Sequence, residues 1–164
     1  MRRLLVVLGL ALGAGACGYN AGLRVSEHHD SVGVEILGND TYERDLEPEV
    51  HDELTRVLRD QSDAHLVDPR DAQAVVRGTI SAFHRRGGIR NRENQLLETG
   101  LYIEVQAKLF VGGNEAPVRS STAGAWVGYT LDNPLGNERE ARQRAMRHIA
   151  EEIVLELFGP SGDG

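Results

Sequence analysis

Cysteine occurs once in this 164-residue chain, at position 17. One cysteine excludes an intramolecular disulfide, so packing alone must hold the fold. No apolar run approaches the ~20 residues that cross a bilayer as a helix. Basic side chains are outnumbered, 18 against 25 acidic ones, for a formal charge of −7. That balance argues against general nucleic-acid binding, which needs a basic footprint. No serine stands in a G-x-S-x-G setting. Neither Gly87-Gly88 nor Gly112-Gly113 opens a predicted helix, as a phosphate loop must; both read as hairpin glycines. The histidines are scattered, and the one cluster, His28–His29–Asp30, lacks the further ligands of a metal site. No internal repeat is present. These absences point away from an enzyme and give no ground for a cofactor or a metal.

What is present begins with the N-terminus. Arg2 and Arg3 precede the short apolar run Leu4–Gly13, and small residues follow. A basic start, a short apolar stretch and a small-residue cut site make a secretory signal. Ala14, Gly15 and Ala16 before Cys17 resemble a bacterial lipobox, departing from it at Ala14, where Leu is usual. Cleavage before Cys17 would let its thiol carry diacylglycerol, and a lone reactive thiol in an exported chain would thereby be removed. An ordinary signal cut nearby, with Cys17 incidental, is the competing reading. Gly18 after the cysteine resembles lipoproteins sent on to the outer membrane. Removing residues 1–16 leaves a chain long enough for one domain with a real core; without Arg2 and Arg3 its charge is about −9. The expected organisation is a signal peptide at 1–16, a lipidated tether at 17–30, one domain at 31–159 and a disordered tail at 160–164.

Within the domain, alternation in "SVGVEIL" predicts a strand. Pro48 suits a first helical turn, and Glu47, Glu49 and Glu53 suit the positive end of the helix dipole. Val50, Leu54, Val57 and Leu58 form one helical stripe ending near Gln61. "HLVDP" reads as a short strand stopped by Pro69. "DAQAVVRGTISAFH" reads as a longer strand, with Val76, Ile80 and Ala82 on one face. "RRGGIRNRENQ" is a turn region. "LYIEVQAKLFV" alternates most clearly, Leu101, Ile103, Val105, Ala107, Leu109 and Val111 pointing one way and Glu104, Gln106 and Lys108 the other. "VRSSTAGAWVGYT" returns after a turn. A closing helix is expected from Asn137, as its cap, to Phe158, with Met146, Ile149, Ala150, Ile153, Val154 and Leu157 as its stripe. The order strand, helix, strands, helix predicts an α+β two-layer sandwich: two amphipathic helices on one face of a mostly antiparallel sheet of about four strands, with one parallel pair if the first crossover returns beside its strand.

One charge feature stands out. Arg77, Arg85, Arg86, Arg90 and Arg92 fall in a window without an acid, whereas residues 35–71 hold twelve acids and four arginines. Such a tip could grip phosphate or carboxylate through forked hydrogen bonds. It could equally be a solvated hairpin end whose charges discourage edge pairing.

Four stretches resemble the lipopolysaccharide-assembly lipoprotein (LptE) family: "CGY" at the mature start, "VGVEILGNDTYERDLEPEVHDELTRVL", "HLVDPRDAQAVVRGTI", and "GYTLDNPLGNEREARQRAMRHIAEEIVLEL". Together they cover most of the mature chain. The resemblance implies two helices on a four-stranded sheet and a lipid anchor in the outer membrane, facing the periplasm. It implies as partners the outer-membrane β-barrel of the lipopolysaccharide translocon, which the lipoprotein plugs and helps assemble, and lipopolysaccharide itself. Lipid A carries phosphates, so Arg85, Arg86, Arg90 and Arg92 become the candidate ligand-binding set. The other function class compatible with the sequence is a periplasmic lipoprotein that regulates a cell-wall synthase or serves a secretion complex.

Overall fold

The computed structural model describes residues 23–25 and 29–160. The signal segment, Cys17, His28 and residues 161–164 lie outside the described residues. The elements are β1 (Val32–Val34), β2 (Gly38–Asn39), α1 (Leu46–Gln61), β3 (Ala74–Gly87), β4 (Glu98–Val111), β5 (Arg119–Thr130) and α2 (Pro134–Phe158). The sheet order is β1-β3-β4-β5, with β2 also pairing with β3. β1 and β2 are parallel to β3, and the β3–β4 and β4–β5 pairs are antiparallel. This is the expected α+β two-layer arrangement, with five strands because the β1 region pairs twice along β3.

The apolar stripes meet as their spacing dictates. Leu101, Ile103, Val105, Ala107 and Leu109 of β4 are at most 1% exposed and face the helices. α2 packs along β5 and β4, and α1 lies against α2, β1 and β2. Leu54, Leu58, Ile149 and Ile153 are buried in the same cluster. A hydrophobic face of one sheet is thus covered by two helical stripes, while the other sheet face stays open.

Four local expectations need correction. "HLVDP" forms no strand; Val32 N–H donates to His65 O and Val67 N–H to Val32 O, a single bridge beside β1. One residue of the expected tether is packed: Val25 is 1% exposed, and its N–H donates to Asp63 Oδ1 at 2.6 Å. α2 starts at Pro134, three residues before the expected cap, because proline suits a first helical position. Asn137 therefore lies inside the helix, and its Nδ2 reaches back to Thr130 O, Thr130 Oγ1 and Asp132 Oδ1 at 2.8–3.0 Å. Finally, Ala82 does not share a face with Val76 and Ile80. The register with β4 shifts between Ile80 and Ala82, leaving Ser81 as an extra residue. Such a bulge sends every later side chain to the opposite face.

Candidate functional site

The bulge decides what the arginines can do. Without it, Arg86 would face the helices and Arg85 the open sheet face. With it, Ala82 lies opposite Glu104, Phe83 opposite Ile103 and Arg85 opposite Leu101, so Arg85 turns to the helix side. Ser81 is held at the bulge by its hydroxyl, which donates to Glu104 Oε1 at 2.7 Å.

On the helix side Arg85 meets two carboxylates. The loop between β2 and α1 is built by Asn39: its Oδ1 accepts from Thr41 N–H at 2.9 Å and Thr41 Oγ1 at 2.7 Å, and its Nδ2 donates to Glu43 O at 2.8 Å. That turn presents Glu43, whose two oxygens accept from Arg85 Nη1 and Nη2, each at 2.9 Å. Glu138, in the first turns of α2, accepts from Arg85 Nε at 3.0 Å and Nη2 at 2.7 Å. Tyr129 Oη donates to the other Glu138 oxygen at 2.8 Å. Arg142 extends the network to Glu49 and Glu43 at 3.2 and 3.3 Å. The Arg85 guanidinium also lies 4.8 Å from the Phe83 ring centroid.

The electrostatics follow. Hydrogen bonds from Arg85 to Glu43 and Glu138 hold its guanidinium protonated even more firmly than usual. Burial pushes Glu138 upward, but the hydrogen bonds from Arg85 and Tyr129 outweigh it, and the carboxyl titrates below its ordinary value. Burial, helped by the bond to Glu138, pushes the Tyr129 phenol up to about 12. An arginine already engaged by two carboxylates is a structural clamp between loop, strand and helix, with no fork left for an external anion. A cleft of about 380 Å³ lies beside it, lined by Asp40 to Glu43 and Ser81 to Arg85.

Arg77 is likewise engaged: it pairs with Glu35 at 2.8 Å and lies over the Phe110 ring. The remaining three differ. Arg86, at the end of β3 on the open face, lies 5.6 Å over the Trp126 ring. Arg90 Nη1 donates to Asn94 O at 2.8 Å, and Arg92 is exposed in the same loop. Among the described residues none of these three pairs with a carboxylate. The structure thus separates the expected set of four into one clamp and three exposed cations at the β3–β4 tip. Glu93 and Glu98 belong to the same hairpin end and trim its net charge.

Sequence reasoning missed the aromatic dressing of the open face. Tyr102 and Trp126 are cross-strand partners. Each leans diagonally over a glycine: a Cβ on Gly100 would meet Trp126 Cζ2 at 2.7 Å, and one on Gly124 would meet the Tyr102 hydroxyl at 2.6 Å. His84 stacks on Tyr102 with centroids 6.3 Å apart. Glycine two residues from an aromatic on the same face was the available signal, since diagonal neighbours lie within reach of long side chains. Of the histidine–aspartate cluster, His28 lies outside the described residues. The His29 ring stands edge-on to Phe158, and Asp30 N–H donates to Gln73 Oε1. Among the described residues no group of three potential metal ligands gathers, and no helix is long and apolar enough to cross a membrane.

The tip and the point where the described chain enters the domain lie at opposite ends of the sheet. Val25 and His29 border a cleft with Val111, Arg119 and Phe158, whereas the tip joins Gly87 to Glu98. β4 runs from one end to the other through 14 residues, about 45 Å at the usual rise.

Comparison with known proteins agrees with this architecture. The fold resembles a Xanthomonas campestris protein at 12% identity and TM-score 0.60, over 74% of this chain and 79% of that one. It resembles the PelC dodecamer of Paraburkholderia phytofirmans at 16% identity and TM-score 0.55, over 80% and 89%, and a Chlamydia trachomatis protein at 12% and 0.54, over 79% and 98%. At such identities the likeness is one of fold. No curated protein matches in sequence. The sequence model of the LptE family, described as lipopolysaccharide-assembly, matches residues 30–157, from before β1 to the penultimate residue of α2. The chain belongs to the LptE family of lipopolysaccharide-assembly proteins.

Proposed function

We propose that this chain is an outer-membrane lipoprotein that assembles with and plugs the lipopolysaccharide-translocating β-barrel and assists lipopolysaccharide insertion, without catalysis. The observation that carries the reading is the family match across the folded domain. Cys17 is the lipidation site in this reading, and the anchor holds the protein at the periplasmic side of the outer membrane. Arg86, Arg90 and Arg92 supply the phosphate grip at the far tip; Arg85 instead fixes the shape of the domain beneath them. Salt screens beyond ~8 Å and the chain is net acidic, so the grip works through close contacts rather than long-range attraction.

The test is a titration of immobilised protein with lipopolysaccharide and, separately, with purified barrel, at low and physiological salt. The double variant Arg86→Glu/Arg90→Glu is expected to weaken at least one of the two bindings by about tenfold or more, as loss of charge-assisted hydrogen bonds does, with an unchanged melting temperature. Unchanged affinity for both ligands at both salts returns the tip to a solvated hairpin end.

A further inference from the structure

β5 is the outermost strand on one side of the sheet. Its backbone groups alternate in direction. Leu131 N–H donates to Leu97 O at 3.1 Å, in step with the Thr130–Glu98 pairing. Odd-numbered residues therefore turn N–H and C=O toward β4, and Ser120, Thr122, Gly124, Trp126, Gly128 and Thr130 turn theirs outward. Arg144 Nη2 donates to one of these outward carbonyls, Gly128 O, at 3.3 Å.

Natural edge strands are blunted by charges, prolines, bulges or shortness. β5 has none of these past its first residue. It is 12 residues long, its register with β4 runs without a shift, and Ser120 to Thr130 contains neither a charged residue nor a proline. The opposite side of the sheet is protected by contrast: β1 and β2 are three and two residues long, and β3 is bulged.

We propose that β5 pairs antiparallel with β5 of a second copy of this chain. Charge and symmetry favour a second copy as the occupant of this edge. Two chains of formal charge −7 repel in most orientations, but these strands bring no charge opposite another. A twofold axis at Gly124 sets glycine against glycine, Thr122 against Trp126, and Ser120 against Gly128. Small faces large, and no like charges meet. The arrangement is isologous, so it closes as a dimer. A strand of this length and ~10 Å thickness buries about 400 Å² per chain, half of a standard interface. The pairing is therefore weak in dilute solution and grows with concentration. Arg144 is its guard, because its bond to Gly128 O must give way.

The experiment takes the full chain in detergent, with protein mass followed by light scattering from about 5 to 500 µM, a range that brackets such a weak dimer. The expected mass rises from one chain toward two. Arg144→Ala shifts the midpoint several-fold lower. Thr122→Pro removes an outward N–H while sparing the β4 ladder, and it abolishes the rise; Thr122→Lys, an edge charge on the solvent face, does the same and serves if the proline variant unfolds. Hydrogen exchange at Thr122, Gly124, Trp126 and Gly128 slows as concentration rises. A single-chain mass throughout for both wild type and Arg144→Ala overturns the proposal, as does a doubling that survives both Thr122 variants or a mass above two chains.

Discussion

Ser81 is one residue more than the register with β4 requires, and it reverses the roles of two adjacent arginines. Arg85 becomes a clamp between Glu43 and Glu138, and Arg86 an exposed cation beside Trp126. Truncating each should therefore have unlike effects. Arg85→Ala leaves two carboxylates without their shared partner and should cost about 1 kcal/mol, the modest figure reflecting a clamp that is partly exposed. Arg86→Ala should stay within about 0.5 kcal/mol; thermal denaturation of both variants measures this. The clamp also predicts a pH response. Glu138 titrates below its ordinary 4.5 in the folded chain. Its contribution is thus fully present above the unfolded value and is lost as pH falls through the lowered folded one. Wild-type stability should decline over that acid range, and Arg85→Ala should decline less steeply there. Equal slopes in urea titrations would contradict the clamp.

At the scale of elements, the stripes were legible because burial repeats at a fixed period. Val50, Leu54, Val57 and Leu58, and the series from Met146 to Leu157, are spaced so that only one helical face can be apolar. β4 was legible for the same reason at period two. The boundaries were harder. Pro134 and Gly136 read as loop residues, yet proline at a first helical position costs nothing and the packed stripe behind it extends the helix. The bulge left no periodic mark, since Ala82 and Phe83 are both compatible with either face; that is why the split among the arginines could not be read in advance. Two predictions belong here. Ile103→Ala and Ile149→Ala should each cost about 2–5 kcal/mol, as buried truncations do, seen as a lowered denaturation midpoint. Gly78→Ala and Gly100→Ala should differ in kind. A Cβ on Gly78 would stand 2.2 Å from Gln106 O, a backbone atom, so the sheet itself must shift and stability should fall. A Cβ on Gly100 clashes mainly with the Trp126 ring, at 2.7 Å, which can swing away; its tightest backbone neighbour, Val127 O, stands at 3.2 Å and need give only slightly. Gly100→Ala should change the emission of this sole tryptophan and cost less stability than Gly78→Ala.

For the whole molecule, the arrangement is a two-ended one. The described chain joins the sandwich beside Val111 and Arg119, and the exposed arginines sit at the other end of β4. A lipid on Cys17 would fix one end to a membrane and leave the tip to reach a partner. Mass spectrometry of the native mature protein should find the chain beginning at Cys17 with diacylglycerol attached, and Cys17→Ser should lose it. An unmodified N-terminus elsewhere would mean that no lipid anchors the chain at Cys17. Partnership with the barrel is read out most directly by affinity purification of the tagged chain from outer membranes. The large lipopolysaccharide-translocating β-barrel should copurify in near-equal amount with this chain. Recovery of a cell-wall synthase or a secretion complex in its place, with no barrel, would contradict it.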